Sequence, residues 1–155
     1  MKRIKFFGVV VMVAVIGLGI YAFYQRTDPP QKVKDAFTKK FPMVKKVKWE
    51  KESDTEWEAE FKMGGTEYSA NFLEDGTWKE TEHEINKKEV PANVIMALET
   101  KFPEYKIEEA EISETNESRV YELEIEKGDS EIELVMDMKG RIVKKEIIKV
   151  SEDKD

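Results

Sequence analysis

The residues of this chain that could carry chemistry are few in kind. A single histidine, His83, sits in the run Glu80-Thr81-Glu82-His83-Glu84. Glutamates alternate with apolar residues at Glu58 and Glu60, at Glu122 and Glu124, and at Glu131 and Glu133. Three tryptophans, Trp49, Trp57 and Trp78, complete the set. A histidine acting as metal ligand or general base needs convergent partners, and there is no His-x-x-x-His pair, Asp-rich loop or Ser-His arrangement to supply them. His83 is expected to be a solvated residue near a strand end. Carboxylates on adjacent strands can share a cation, but calcium sites wrap a looped chain around the ion, and these glutamates lie on extended runs. Carboxylate pairs for glycoside hydrolysis can be drawn in many ways among 33 acidic residues, so their presence carries no weight. The absence of cysteine removes disulfides, thiolate metal sites, cysteine nucleophiles and lipoprotein attachment together. No catalytic, metal or cofactor residue is assigned.

The elements that position these residues are strands and two short helices. Trp57, Ala59 and Phe61 point one way and Glu58, Glu60 and Lys62 the other, the period-two signature of a half-buried strand. Tyr121, Leu123 and Ile125 alternate with Glu122 and Glu124 in the same manner. Gly64-Gly65 and Gly128-Asp129 separate alternating runs as hairpin turns do, and Asp75-Gly76 and Lys139-Gly140 mark the next turns. First strands are expected near 44–49 and 107–112. One sheet face is then apolar and the other acidic. Glu58, Glu60, Glu122, Glu124, Glu131 and Glu133 form a candidate partner-binding face, left open to solvent, with Trp78 beside a turn as a possible aromatic member. Trp49 and Trp57 fall on the apolar phase and belong to the core.

An internal repeat organises these elements. Pro30, Val33, Phe37, Phe41 and Pro42 recur as Pro91, Val94, Leu98, Phe102 and Pro103, an offset of 61. Spacings of four place each apolar set on one helical face. Proline is tolerated in a first helical turn, and a proline after Phe41 or Phe102 forces that residue out of the α region. Helices are predicted over 31–41 and 91–102. Further on, Trp57 to Phe61 with Gly64 recurs as Tyr121 to Ile125 with Gly128, now at an offset of 64. The three added residues are placed in a polar loop at 113–118. Each repeat is read as one helix and four antiparallel strands, 31–86 and 87–150, with a tail at 151–155. A unit of about 60 residues is marginal alone, so the two should share one open sheet with both helices on one face, an α+β fold.

Charge and the N-terminus bound the setting. Three of the 26 basic residues and none of the 33 acidic ones lie in 1–25, leaving 23 against 33, a net charge of −10. Such a body is repelled by phosphate backbones, which argues against nucleic acid as a partner. Lys2, Arg3 and Lys5 precede an uncharged run over 6–24, long enough as a helix to span about 28 Å at ~1.5 Å per residue. Segment 1–25 is read as a signal-anchor or a cleaved signal peptide, and 26–30 as a short linker. In both readings the basic end stays cytoplasmic and the rest of the chain is extracytoplasmic, periplasmic or on the cell surface, tethered to the inner membrane if uncleaved.

The run Val120 to Val143, VYELEIEKGDSEIELVMDMKGRIV, resembles the core hairpin of PepSY-type domains. Region 30–148, with its duplicated helix-Phe-Pro opening, is similar to the PepSY-like, β-lactamase-inhibitor-like family of bacterial envelope proteins. Val47-Lys48-Trp49-Glu50, Glu58 to Phe61, Glu67 to Ala70 and Asp75 to Trp78 carry the match in the first copy. The resemblance implies a tandem helix-plus-four-strand module outside the cytoplasm, and a sheet face that grips a protein. Mainly glutamate stands where a tight protein-binding face favours aromatic and arginine anchors, so β-lactamase inhibition is not carried over. The expected function is a noncatalytic binding module for an envelope protein or peptide, held on the solvated face or at a strand edge. The alternative is a membrane-tethered sensor of a small ligand or divalent cation.

Overall fold

Residues 28–149 are described in the computed structural model of the protein. The segment read as membrane-spanning, 6–24, and the tail, 151–155, lie outside them. Among the described residues no helix is long and apolar enough to cross a membrane.

Each helix begins and ends on a proline rule. Pro30 and Pro91 cap α1 (Gln31–Lys40) and α2 (Ala92–Lys101) in extended conformation, and their carbonyls accept from the amides of Val33 and Val94 at 3.0 Å. Phe41 and Phe102, each followed by proline, leave the α region with φ near −125°, while their amides still donate to Phe37 and Leu98. The expected helix limits hold to within one residue. A 3-10 turn, Lys87–Glu89, precedes α2, closed by a reciprocal capping box between Asn86 and Glu89.

Eight strands follow chain order in one antiparallel sheet: β1 Val47–Lys51, β2 Glu56–Met63, β3 Thr66–Leu73, β4 Trp78–Glu84, β5 Lys106–Thr115, β6 Arg119–Lys127, β7 Ser130–Asp137 and β8 Ile142–Lys149. Ser113 to Thr115, placed in a loop by sequence, belong to β5, where they pair with Glu80 to Glu82 of β4. Only 116–118 remain as a turn. A lone hairpin strand gains nothing by lengthening, whereas β5 must reach along β4 to join the halves.

Register fixes the faces. Ala70 pairs with Thr81 and His83 with Ile112, so the apolar sides of β3 and β5 share one face. Both helices pack there. Under α1, Phe37 meets the rings of Trp49, Phe61 and Phe72 edge-on at 5.1 to 6.2 Å, an aromatic core. Under α2 the core is aliphatic: Val94 and Leu98 over Leu123, Ile125, Leu134 and Met136, all nearly or fully buried. Two turns press against the helices. A side chain at Gly76 would stand 2.7 Å from the Lys32 carbonyl, and one at Gly140 2.9 Å from that of Asn93. Both glycines also have φ between 80° and 90°, so no other residue is comfortable there.

The acidic sheet face as candidate functional site

On the face away from the helices, the ladder lines up carboxylates across all eight strands. One row runs Glu50, Glu58, Asn71, Glu80 and Thr115; another runs Glu84, Glu111, Glu122, Val135 and Lys144. Glu109, Glu124, Glu133 and Glu146 form a third. The six predicted glutamates do share this face, and Glu50, Glu80, Glu82, Glu84, Glu109, Glu111 and Glu146 join them. Glu82 and Glu111, the most consequential additions, were legible as period-two alternation in Glu80-Thr81-Glu82-His83-Glu84 and Glu109-Ala110-Glu111.

The face is not uniformly solvated. Glu58 and Glu122 are buried, as are Glu82 and Glu111, while Glu60, Glu124, Glu131 and Glu133 are half-buried. Neither helix covers them; neighbouring side chains on both flanking strands do, because a mid-sheet position is hemmed in on both sides by residues about 5 Å away. The cost of burying a carboxylate is then met by protonation. Burial, ahead of repulsion from Glu122, Glu80 and Glu111, pushes the Glu82 carboxyl up to about 9. Burial and then Glu133 and Glu111 raise Glu122 to about 8, and burial with Glu109 and Glu84 raises Glu111 to about 7. Glu58 reaches about 8 through burial, a hydrogen bond with Glu52 and repulsion from Glu52 and Glu60.

Cations are unevenly supplied. In the first half Lys48 bridges Glu50 and Glu60, and Lys79 and Asn71 hold Glu56 at 3.2 and 3.1 Å. These bonds raise the Lys48 ammonium well above its ordinary range. At the junction of the halves, one Glu82 oxygen and both Glu122 oxygens are buried with no hydrogen-bond partner. The other influence on Glu82 is a hydrogen bond with Ser113, which works against its protonation.

Trp78, the predicted aromatic member, lies elsewhere. Trp78 pairs with Phe72 on the helix face, not with the glutamates: its indole N–H donates to the Glu80 carbonyl and the Thr81 hydroxyl, and the Lys40 ammonium stands 3.2 Å above its ring. A register shift between Asn71 and Phe72 sets it there, a displacement that sequence alternation does not reveal. His83 is half-buried on the same face, its ring tilted 30° against that of Tyr68 with centroids 4.6 Å apart, rather than solvated as expected. Burial, then the Arg119 charge, lowers its pKa. Among the described residues no three acidic or imidazole groups are placed to hold a metal ion. A separate cavity of about 820 Å³ lies beside β1, lined by Met43, Lys45, Lys46, Lys48, Phe61 and Tyr68 among others.

A chain of this kind, one open eight-stranded antiparallel sheet with two helices on one face and a polar face opposite, matches a known class of module. Residues 55–144 match the model of the PepSY-like family, provisionally described as β-lactamase-inhibitor-like, and the chain belongs to that family. Solved structures agree on the fold. A DUF2874 family protein from Bacteroides ovatus superposes with TM-score 0.72 at 19% identity, covering 82% of this chain and 93% of that one. A β-lactamase-inhibitor-like protein from Bacteroides fragilis gives 0.71 at 22%, over 83% and 93%. A Bacteroides eggerthii protein, provisionally described as periplasmic, gives 0.71 at 19%, over 82% and 94%. No curated protein sequence matches.

Proposed function

We propose that this protein is a noncatalytic extracytoplasmic binding module that holds a basic protein or peptide partner on its acidic sheet face. One observation carries the reading: a carpet of glutamates spans the face that neither helix covers, and its centre lacks the lysines that neutralise its first half. Positive potential on a partner would be steered to such a surface and held in register there. Membership of the family supports a binding role, and the basic-then-apolar opening over 2–24 supports export. We read 31–86 and 87–150 as copies of one unit, supported by the matching contacts of Gly76 with α1 and Gly140 with α2. Residues 6–24 would supply the membrane tether.

The test is photo-crosslinking in cells from two positions, Asn71 on the acidic face and Met96 on the exposed side of α2. The expected result is a defined adduct from Asn71 alone, lost when Glu60, Glu124 and Glu133 are changed to lysine. Glu58 and Glu122 are left intact because a lysine buried there would unfold the chain. An adduct from Met96 alone, or one from Asn71 indifferent to charge reversal, would overturn the reading.

The cavity beside β1 favours a second reading, a membrane-tethered sensor of a small ligand. Its lysines and exposed Met43 suit an anionic amphiphile rather than a divalent cation.

A further inference from the structure

The junction of the two halves holds a cluster unlike anything else on the face. Glu111 of β5 pairs directly with Glu122 of β6, and Glu82 of β4 pairs with Ser113, two residues along β5. The three carboxyls are therefore neighbours where three strands meet, Glu82 lying diagonally from the Glu111–Glu122 pair and feeling the charge of both. Glu82 is 3% exposed and Glu122 4% exposed, and three of their four oxygens have no hydrogen-bond partner. Buried acceptors left unmatched cost about 1–3 kcal/mol each, so native structures seldom leave them without a function.

We infer that Glu82, Glu111 and Glu122 form the anchor pocket of the acidic face, receiving the cationic head of an arginine or lysine side chain presented by the partner. The inference rests on the acidic-face reading and adds which chemical group enters and where. A guanidinium offers five N–H donors in a planar fork, enough to satisfy all three orphaned oxygens at once, and is the cation least costly to desolvate. A bare metal ion fits less well, since no three acidic groups among the described residues are placed to close a coordination shell. The oxygens are enclosed by neighbouring side chains on the face that neither helix covers, and these must part to admit the cation.

The surrounding charges decide how the pocket is filled. Glu80 and Glu84 of β4, Glu109 of β5, Glu124 of β6, Glu133 of β7 and the pair Lys144 and Glu146 of β8 all face it, while β3 contributes uncharged Ser69 and Asn71 and, beside Glu84 and Glu111, Glu67. Both cations near the cluster are already engaged: Lys144 pairs with Glu146 at 3.1 Å and Lys62 of β2 with Glu67 at 2.7 Å. With so little positive charge at hand, the cluster carries protons in the free protein near neutral pH. An entering cation favours the carboxylate form, so each cation bound displaces about one proton to solvent. Binding therefore strengthens as pH rises, until the cluster is ionised without help.

The experiment titrates the folded protein calorimetrically with a hexa-arginine peptide near pH 7, at low salt, in two buffers of different ionisation enthalpy. Expected is release of about one proton per peptide. The Glu82→Gln, Glu122→Gln double variant should remove most of that release and weaken binding about tenfold, whereas Glu99→Gln, on the exposed side of α2, keeps both. Should the double variant fold poorly, infrared spectra of the unaltered protein provide the check: the carboxylic C=O band present near neutral pH must fall as peptide is added. Peptide binding without proton release, or with no loss of that band, overturns the anchor while leaving the acidic-face reading intact. Absence of peptide binding together with absence of the Asn71 adduct overturns both. Equal proton release on adding calcium chloride alone would overturn the assignment of the occupant to a side-chain cation.

Discussion

The two faces of this one sheet bury residues by opposite means. On the helix face, α1 and α2 supply a covering layer, and apolar side chains leave water: Phe72, Leu123, Ile125, Leu134 and Met136 are at or near zero exposure. On the acidic face no layer exists, yet Glu58, Glu82, Glu111 and Glu122 are buried nearly as deeply. The first kind of burial is the source of stability. The second works against it whenever the carboxyls are charged. Substitutions on the two faces should therefore have opposite signs.

The largest effect is expected on the helix face. Phe72→Ala empties the centre of the aromatic core and should cost about 3–5 kcal/mol in denaturant unfolding, and Leu123→Ala about 2–5 in the aliphatic core. A loss below 1 kcal/mol at either site would break the comparison at its root.

Next comes pH. Raised carboxyl pKa values mean that the folded state holds more protons than the unfolded chain between about 4.5 and about 9, so stability must fall as pH rises through that window. At about 1.4 kcal/mol per pKa unit, the decline from pH 5 to pH 9 should be on the order of 3 kcal/mol or more. Asp75 and Asp137, whose pKa values are lowered chiefly by backbone N–H donors of Thr77 and Arg141, work in the opposite sense below pH 4. Thermal melts across pH 5 to 9 check the sign, and a rising Tm would refute it.

Each helix also rests on a glycine turn. Gly140→Ala and Gly76→Ala should each destabilise by about 1–3 kcal/mol, through a strained φ and displacement of the helix carbonyl beneath. Smaller and opposite in sign, Glu122→Gln should stabilise by about 1–2 kcal/mol at pH 9 and by less at pH 5, since it removes a buried charge that exists only in alkali. Denaturant midpoints at the two pH values separate these cases. Smallest of all, Lys40→Met should cost about 0.5–1 kcal/mol by removing the cation above Trp78.

Much of the scaffold was legible because local chemistry dictates it. Proline at both ends of each helix, glycine at four turns and strict alternation in β2 and β6 leave few arrangements open. The candidate site was only half legible. Glu58, Glu60, Glu122, Glu124, Glu131 and Glu133 follow from alternation within hairpins, whose short turns fix register. Glu82 and Glu111 meet Glu122 through the β4–β5 pairing, and the connection there passes through a 3-10 turn and a whole helix. No turn rule sets register across such a connection, so nothing local says which glutamate of β4 stands beside which residue of β5. Burial on the acidic face was missed for a related reason. Alternation tells which way a side chain points, not how closely its neighbours crowd it. Trp78 was displaced by a register shift, which the sequence does not announce.

A helix-free sheet face that holds protonated carboxyls at its centre can exchange those protons for a partner's positive charge. Carbon-detected NMR titration of the glutamate side-chain carboxyls, assigned individually in the folded protein, tests it most directly. Midpoints near or above 7 are expected for Glu82, Glu111 and Glu122. Midpoints in the ordinary carboxylate range, around 4 to 5, for all three would contradict it.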